Sequence, residues 1–231
     1  MKTALITGAN KGIGFAIAKS LGKQDWHVII GARNKDRAEA AVAQLKEADV
    51  EIVDYVLIDL SAPETIEQAV KAVQSDFSDI DLLINNAGIP GGHGSSLTES
   101  VEDLQATMQV NFFGTFQLTQ GLLPILEENH GRIVNITIPT DPNLFWNPFA
   151  YKSTKAAQNV MMQALAIDFE KENKNLETFS IHPGPTTTDL NGNITAEGFH
   201  TPDDVAEKIT AILLDGSTHQ GEFLEIYGEL K

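Results

Sequence analysis

The stretch TALITGANKGIG, residues 3–14, decides the fold because a short apolar run leads directly into a turn rich in glycine. The apolar run predicts a buried β-strand, and the residues after the turn have the apolar spacing of a helix. Glycines at such a turn let the backbone bend tightly and approach a pyrophosphate, whose charge is favoured at the N-terminus of the next helix. The spacing here is Gly-x-x-x-Gly-x-Gly, at Gly8, Gly12 and Gly14. Taken alone, it fits an ordinary tight turn as well as a phosphate site.

Short apolar runs and longer helical stretches alternate along the whole chain. Runs without polar alternation, such as residues 28–30, are typical of strands that are buried on both faces of a parallel sheet. The sequence therefore predicts one α/β domain over residues 1–231, with a doubly wound, mostly parallel sheet of seven strands flanked by helices. The predicted strands cover residues 3–7, 27–31, 51–58, 80–84, 132–138, 177–181 and 222–226. The predicted helices include residues 12–21, 35–46, 63–77, 110–128, 151–170 and 202–214.

The composition excludes several classes of function. There are 16 Lys and Arg against 32 Asp and Glu, a formal charge of −16, so the protein's field repels nucleic acid and anionic membrane surfaces. The lack of cysteine removes disulfides and thiolate chemistry, and the 6 histidines have no close metal-ligand spacing, so we expect no metal. The sequence shows neither a signal pattern at its start nor an apolar run of about 20 residues, and we expect a cytoplasmic protein without a membrane partner.

Two cations lie where a nucleotide phosphate is expected. Arg33 follows the second predicted strand, at the place where an NAD-binding fold usually has an acidic residue for the ribose 2′-hydroxyl. A cation there suits the 2′-phosphate of NADP, and Lys11 could converge on it from the glycine turn. The alternative is that both side chains are solvated surface residues.

A tyrosine and a lysine are spaced to share one face of a later helix. Tyr151 and Lys155 stand at i and i+4. A nearby ammonium favours the phenolate, so the pair is a candidate general acid/base. An amphipathic helix can also carry such a pair without any function.

Together these motifs, in this order, resemble the short-chain dehydrogenase/reductase family over nearly the whole chain. Further matches are Asp59 after the third strand, the run from Asn85 to Gly88 after the fourth, Asn111, and Pro183-Gly184 with Thr188. The resemblance implies cofactor contacts at Gly8, Asn10, Lys11, Gly12, Ile13, Gly14, Arg33, Asp59, Leu60, Asn86, Ala87, Gly88, Tyr151, Lys155, Pro183, Gly184 and Thr188.

The resemblance also implies a fold and a reaction. The fold is a Rossmann-type sheet of order 3-2-1-4-5-6-7, and the reaction is hydride transfer between NADP(H) and a carbonyl or alcohol. Tyr151 would exchange a proton with the substrate oxygen, while Lys155 would bind the nicotinamide ribose and lower the pKa of the tyrosine. Asn111 would hold a water that links the lysine to solvent. Details such as the pair Asn10-Lys11 are most similar to carbonyl reductase-like members.

One expected catalytic residue is missing. The family usually has a serine 13 residues before the tyrosine, and Ile138 stands there. Thr137 should point to the other face of an extended strand, which makes Thr140 the best local substitute. Three hypotheses follow: an NADPH-dependent reductase that uses Thr140 or another donor, a reductase with poor turnover, and a nucleotide-binding sensor or interaction protein. Retention of Tyr151, Lys155 and Asn111 favours an enzyme.

The substrate side is less specific. Leu144, Phe145, Trp146 and Phe149 either form an apolar wall for a hydrophobic carbonyl compound or cover the core. Residues 186–200, with Gly192 and Gly198, are predicted to form a lid, and His93 is predicted to be a solvated loop residue. Met161 and Met162 belong to helices with more apolar residues than a sheet requires, so a homo-oligomer and a monomer both stay open.

Overall fold

The computed structural model describes residues 1–92, 94–144 and 146–227. Within these residues, seven strands form one sheet in the order β3-β2-β1-β4-β5-β6-β7, and all neighbouring strands are parallel. The sheet has the order that the resemblance implies. The strands are β1 Thr3–Thr7, β2 His27–Ala32, β3 Val53–Leu57, β4 Ile80–Asn85, β5 Arg132–Ile136, β6 Glu177–His182 and β7 Phe223–Glu225.

Helices cover both faces of the sheet. They are α1 Gly12–Gly22, α2 Lys35–Glu47, α3 Pro63–Asp76, α4 Val101–Met108, α5 Thr115–Glu128, α6 Phe149–Glu172 and α7 Pro202–Leu213. A π-helical turn, Gln109–Gly114, joins α4 to α5, and a 3-10 turn, Asp189–Asn191, precedes α7.

Alternate residues of each buried strand enter two separate cores. Ala4 and Ile6 of β1 pack with α1, α2 and α7, whereas Leu5 packs with α3, α5 and α6. This explains why the middle of each central strand, residues 4–6 of β1 and 82–84 of β4, is wholly apolar, since neither face meets water there. The Rossmann-type architecture is confirmed. It brings the carboxyl ends of all strands to one edge, where ligands bind in open α/β sheets.

The predicted helix over residues 110–128 is wrong at its start. The structure has α4 from Val101, then the π-helical turn, then α5. Ser100 caps α4 by accepting a hydrogen bond from the backbone N–H of Asp103 at 3.0 Å. A serine three residues before an acid is a helix-start signal, and it stands in the sequence. The π turn has no such signal, because it depends on contacts with residues distant in sequence.

The interpretation of Met161 and Met162 as surplus apolar surface is also wrong. They are 6% and 2% exposed and belong to the core beneath α6. The large apolar side chains of α6 that are exposed are Val160 and Ile167. No helix in the described ranges combines the length and the apolar composition required to cross a bilayer.

Candidate active site

The turn between β1 and α1 packs closely against the segment that follows β4. Gly8 and Gly12 have φ of 65° and 60°, in the left-handed region that strains residues with a side chain. A Cβ on Gly14 would lie 2.4 Å from Nδ2 of Asn86, so these glycines serve packing as well as any ligand. A Cβ on Gly12, by contrast, would have two described atoms within 4 Å. Both belong to the side chain of Thr188, and both lie at 3.8 Å or more. The turn is therefore open at Gly12.

Residues 86–88 brace this turn. The backbone N–H groups of Asn86 and Ala87 both donate to Oγ1 of Thr7 at 3.0 Å, and Nδ2 of Asn86 donates to the Thr7 carbonyl at 2.8 Å. Gly88 lies near Asn111, since a Cβ there would be 3.3 Å from Oδ1 of Asn111. This segment thus connects the glycine turn to the π-helical turn. The cofactor contacts assigned to it stay predictions.

The two predicted phosphate cations are exposed, and each has an acidic neighbour. Nζ of Lys11 lies 2.7 Å from Oδ2 of Asp189, and this hydrogen bond is the main reason that the pKa of Asp189 lies below its ordinary value. The Ser61 hydroxyl, and to a smaller extent the charge of Arg33, hold the pKa of Asp59 below its ordinary value. Arg33 therefore lies on the β3 side of the turn and Lys11 on the lid side.

A third cation, Arg37, was missed by the sequence reasoning. It lines a surface depression together with Asn10 and Lys11, and its charge also contributes to the lowered pKa of Asp189. Arg37 follows Arg33 by four residues, and Asn34 caps α2 between them by accepting from the backbone N–H of Arg37 at 3.0 Å. The signal was available, because Asn34 is a preferred N-cap residue and Arg37 follows it in the first turn of the helix.

Leu60, the other residue predicted beside Asp59, is buried where the π-helical turn meets β3. A Cβ on Gly114 would lie 2.2 Å from the Leu60 carbonyl, and Nε2 of Gln109 donates to that carbonyl at 3.3 Å. The carbonyl thus holds the π turn in place.

Tyr151 and Lys155 lie on one face of α6, as their spacing predicts. Lys155 is 2% exposed, and its Nζ lies 5.7 Å from the centre of the Tyr151 ring. Nζ donates to the carbonyl of Ile136 at 2.8 Å and to Oε1 of Gln158 at 2.9 Å. Burial lowers the pKa of Lys155 to about 8.

The structure does not have the lowered tyrosine pKa that the resemblance implies. Burial raises the pKa of Tyr151 to about 12. The physical reason is the removal of the phenol from water, which disfavours its charged form, while the Lys155 ammonium directs its hydrogen bonds to Ile136 and Gln158. The half-buried phenol therefore keeps its proton at neutral pH.

Asn111 is completely buried in the π-helical turn. Its Oδ1 accepts from the backbone N–H of Ile89 at 2.8 Å, and its Nδ2 donates to the Ile89 carbonyl at 2.9 Å and to Oγ1 of Thr154 at 3.0 Å. The side chain ties the loop after β4 to α6. Its backbone carbonyl accepts from Nε2 of Gln158, whose Oε1 accepts from Lys155. Gln158 is a second residue that the sequence reasoning missed, although it is seven positions after Tyr151 and therefore on the same helix face.

Ile138 occupies the place after β5 where the family has a serine, and it is 8% exposed. The hydroxyl of the neighbouring Thr137 is engaged elsewhere, because its Oγ1 donates to Oδ1 of Asn159 at 2.8 Å. Thr140 is exposed and lines a groove with Lys152, Ser153 and Ala156. These positions of α6 face away from Tyr151 and Lys155, so the groove with Thr140 lies on another side of the helix.

Of the predicted aromatic wall, Trp146 contacts the candidate acid. Its ring meets the Tyr151 ring edge-on, with centroids 6.1 Å apart, and it is 48% exposed. Leu144 is almost fully exposed, and Phe149 lines the groove beside Thr140. Phe145 and His93 lie outside the described residues.

The predicted lid is a loop whose two ends are joined. Thr187 donates to the His200 carbonyl at 3.0 Å, and His200 donates to the Pro185 carbonyl at 2.9 Å. Gly184 enters the loop with φ of 71° beside the Tyr227 ring, and Pro183 is buried. Thr188 begins the 3-10 turn in a capping box with Asn191. Through Thr188 and Asp189 the loop touches the glycine turn.

Within the described ranges, no group of three or more His, Asp or Glu side chains is placed to hold a metal ion. The chemistry available at this edge of the sheet is therefore that of a buried ammonium, a protonated phenol and exposed cations beside a glycine turn.

Comparison with known sequences gives one family. The sequence profile described as short chain dehydrogenase matches residues 2–198. The short-chain dehydrogenase anuI of Penicillium roqueforti (strain FM164) is 32% identical over 242 aligned residues, which cover 98% of this chain and 92% of that protein.

Solved structures agree. An alcohol dehydrogenase from the archaeon Thermococcus sibiricus, complexed with 5-hydroxy-NADP, superimposes with a TM-score of 0.83 and 31% identity, covering 97% of this chain and 95% of that one. A short chain dehydrogenase from Burkholderia cenocepacia J2315, in complex with NADP, superimposes with a TM-score of 0.80 and 28% identity over 97% of this chain and 95% of that one. The similarity thus includes both ends of the candidate site.

Proposed function

This chain belongs to the short-chain dehydrogenase family, a family of oxidoreductases, and on that premise we propose that it reduces a hydrophobic ketone or aldehyde with NADPH, using Tyr151 as the proton donor. The observation that carries the proposal is the joint placement of three side chains at the carboxyl end of β5. Lys155 reaches the Ile136 carbonyl, Tyr151 lies above its ammonium, and Asn111 is bonded to Thr154 between them.

The residues of the glycine turn fit the phosphates of NADP(H). The turn is open at Gly12, and Lys11, Arg33 and Arg37 are exposed around it in a chain whose formal charge is −16. Exposed cations clustered in so acidic a protein favour the binding of an anion, and Asp189 pairs directly with Lys11 while also interacting with the charge of Arg37. We assign Lys11, Arg33 and Arg37 to the 2′-phosphate. The NADP in the Burkholderia structure supports the assignment.

The nicotinamide end fits as well. An ammonium has three N–H donors, and the described residues accept two of those of Lys155. The third is left for a ribose hydroxyl. When it is bound, NADPH supplies the hydride.

The phenol supplies the proton. Because burial raises the pKa of Tyr151 to about 12, the side chain is protonated throughout the neutral range and can donate to a carbonyl oxygen. A protonated acid suits reduction, whereas oxidation of an alcohol needs the phenolate. Trp146, edge-on to the phenol and half-exposed, provides the apolar contact for a hydrophobic substrate.

A second candidate function is the binding of NADP(H) without catalysis. It is favoured by one observation: Ile138 stands at the donor position, and Thr140 lies in a groove on another side of α6. A chain that binds NADP(H) without turnover would act as a sensor or interaction protein.

The two functions are separated by one assay. NADPH consumption is followed with a panel of aldehydes, ketones and diketones, for the parent and for Tyr151→Phe, which keeps the ring and removes the proton. The proposal expects reduction of apolar carbonyl compounds by the parent and a loss of about 10² to 10⁴-fold in Tyr151→Phe. Tight NADPH binding without reduction of any carbonyl, together with activity created by Ile138→Ser, favours the sensor.

A further inference from the structure

A buried amide joins the lysine to the π-helical turn. Gln158 lies about one turn beyond Lys155 on α6 and is 1% exposed. Its Oε1 accepts from Nζ of Lys155 at 2.9 Å, while its Nε2 donates to the Asn111 carbonyl. Both ends of the amide are therefore used, and the side chain is fixed between the ammonium and the turn.

This contact determines where protons can go. A water that accepts a proton from an ammonium can pass another proton on, because its own O–H bonds exchange. A side-chain amide cannot do so near neutral pH, since its N–H is not acidic and its protonated oxygen is a strong acid. The other acceptor for Lys155, the Ile136 carbonyl, has no proton to release. In the part of the chain that the structure describes, both hydrogen bonds of the buried ammonium thus end on groups that do not relay protons.

We propose that Gln158 is a positioning residue that stands where a proton-relaying water would otherwise lie. It holds Lys155 beneath Tyr151, and it blocks proton transfer from Lys155 through the interior of the protein. The inference rests on the proposed function. In reduction, the Tyr151 O–H bond breaks as its proton moves to the substrate oxygen. The phenolate is then reprotonated by a water or buffer acid that enters from the substrate side, not through Lys155 and Asn111. The water that the resemblance assigns to Asn111 has no place between Nζ and the Asn111 carbonyl, because the amide occupies it.

The groups around Lys155 make the test specific. On its own helix the titratable neighbour is Tyr151. β5 presents the Ile136 carbonyl, and the π-helical turn presents the Asn111 carbonyl through Gln158. From β6, His182 contacts the Thr137 carbonyl at 3.3 Å, one residue beyond the lysine's acceptor. A change at Gln158 therefore acts on Lys155 directly.

The first experiment compares three variants by the pH dependence of kcat and by rates in mixtures of H₂O and D₂O. Gln158→Met keeps the length and removes the amide, so the ammonium loses an acceptor and the alkaline limb of kcat should move about 1 pH unit lower. Gln158→Ala leaves room for a water of about 30 Å³, which restores the acceptor and opens the relay. For Ala we expect a limb close to that of the parent, but a curved dependence of rate on deuterium fraction where the parent gives a straight line. Gln163→Ala, an exposed glutamine of the same helix, is the matched control and should change neither readout.

The second experiment does not depend on turnover. The pKa of Lys155 is measured by NMR with ¹³Cε-labelled lysine, the signal being assigned by its loss in Lys155→Arg. Gln158→Met, or Gln158→Leu if the Met variant does not fold, should lower the pKa of Lys155 by about 1 unit relative to the parent.

These measurements overturn the inference in two ways. An unchanged Lys155 titration in the Met and Leu variants contradicts the positioning role. A straight deuterium dependence in Gln158→Ala, or a curved one in the parent, contradicts the closed route. If the parent reduces no carbonyl, the proposed function fails, and the NMR titration alone decides whether Gln158 holds the ammonium.

Discussion

The nucleotide end and the catalytic end of the site use charge in opposite ways. Around the glycine turn the cations are exposed, and Lys11 pairs with an exposed carboxylate, Asp189. At the head of α6 the cation Lys155 is buried and hydrogen-bonded to a carbonyl and an amide. An exposed ion pair contributes little, about 0 to 1 kcal/mol, whereas an unpaired buried polar group costs about 1 to 3 kcal/mol or more. Substitutions at the first end should therefore change affinity in small steps, and those at the second should change chemistry in large ones.

The largest effect on kcat should come from replacing the buried ammonium of Lys155. Lys155→Met should lower kcat by about 10² to 10³-fold, the size of effect seen when one preorganised charged or donor group is removed. The parent's kcat should fall as pH rises through the lysine pKa of about 8, because the ammonium is lost there, and this limb should vanish in the variant. Lys152→Met is the control, since Nζ of Lys152 donates to the carbonyl of Asp141 on another side of α6. An equal loss in both variants contradicts the role given to Lys155.

Restoring a donor at the same end should have the next largest effect. Ile138→Ser should raise kcat for carbonyl reduction about 10-fold or more, because one missing donor at a charge-stabilising site costs about 10² to 10³-fold. The variant should also melt at a lower temperature, since Ile138 is 8% exposed and its apolar contacts are lost. Thr140→Val, at the exposed groove, should leave kcat unchanged. A large loss in Thr140→Val would instead identify Thr140 as the working donor.

At the nucleotide end, the expected effects are on affinity. Arg37→Ala should weaken NADPH binding about 10-fold, or about 1.4 kcal/mol, with little change for NADH, which has no 2′-phosphate. Dissociation constants from fluorescence titration with the two cofactors test this. Arg33→Ala should behave in the same way. If the affinities for NADPH and NADH fall equally, the two arginines do not bind the 2′-phosphate.

The smallest effect should come from the ion pair between the lid and the turn. Asp189→Asn removes a carboxylate that competes with phosphate for Lys11, and NADPH should bind about 3-fold more tightly, within the range of an exposed pair. The gain should disappear at high salt, because exposed charges are screened. Weaker NADPH binding by the variant would mean that Asp189 holds the lid closed over the cofactor.

The same contrast explains what the sequence could predict. The glycine turn, the sheet order and the face shared by Tyr151 and Lys155 depend on local spacing, and the structure has each of them. Local spacing also indicates Arg37 and the Ser100 cap, although neither was identified from the sequence.

What could not be predicted depends on long-range packing. The π-helical turn forms where Gly114 lies against Leu60, and Gln158 reaches Asn111, 47 positions earlier in the chain. The raised pKa of Tyr151 has the same origin, since burial, not the neighbouring ammonium, determines it. A motif shows which residues share a face, but it does not show which atoms their hydrogen bonds reach.

The most direct test of the account is isotope transfer from NADPH carrying deuterium at both C4 positions to an apolar ketone, followed by mass spectrometry of the product. For the parent, the account predicts an alcohol with one deuterium on the carbinol carbon, and it predicts at least 10²-fold less of it with Tyr151→Phe. Product without deuterium, or equal yields from the two proteins, would contradict the assignment of Tyr151 as the proton donor in an NADPH-dependent reduction.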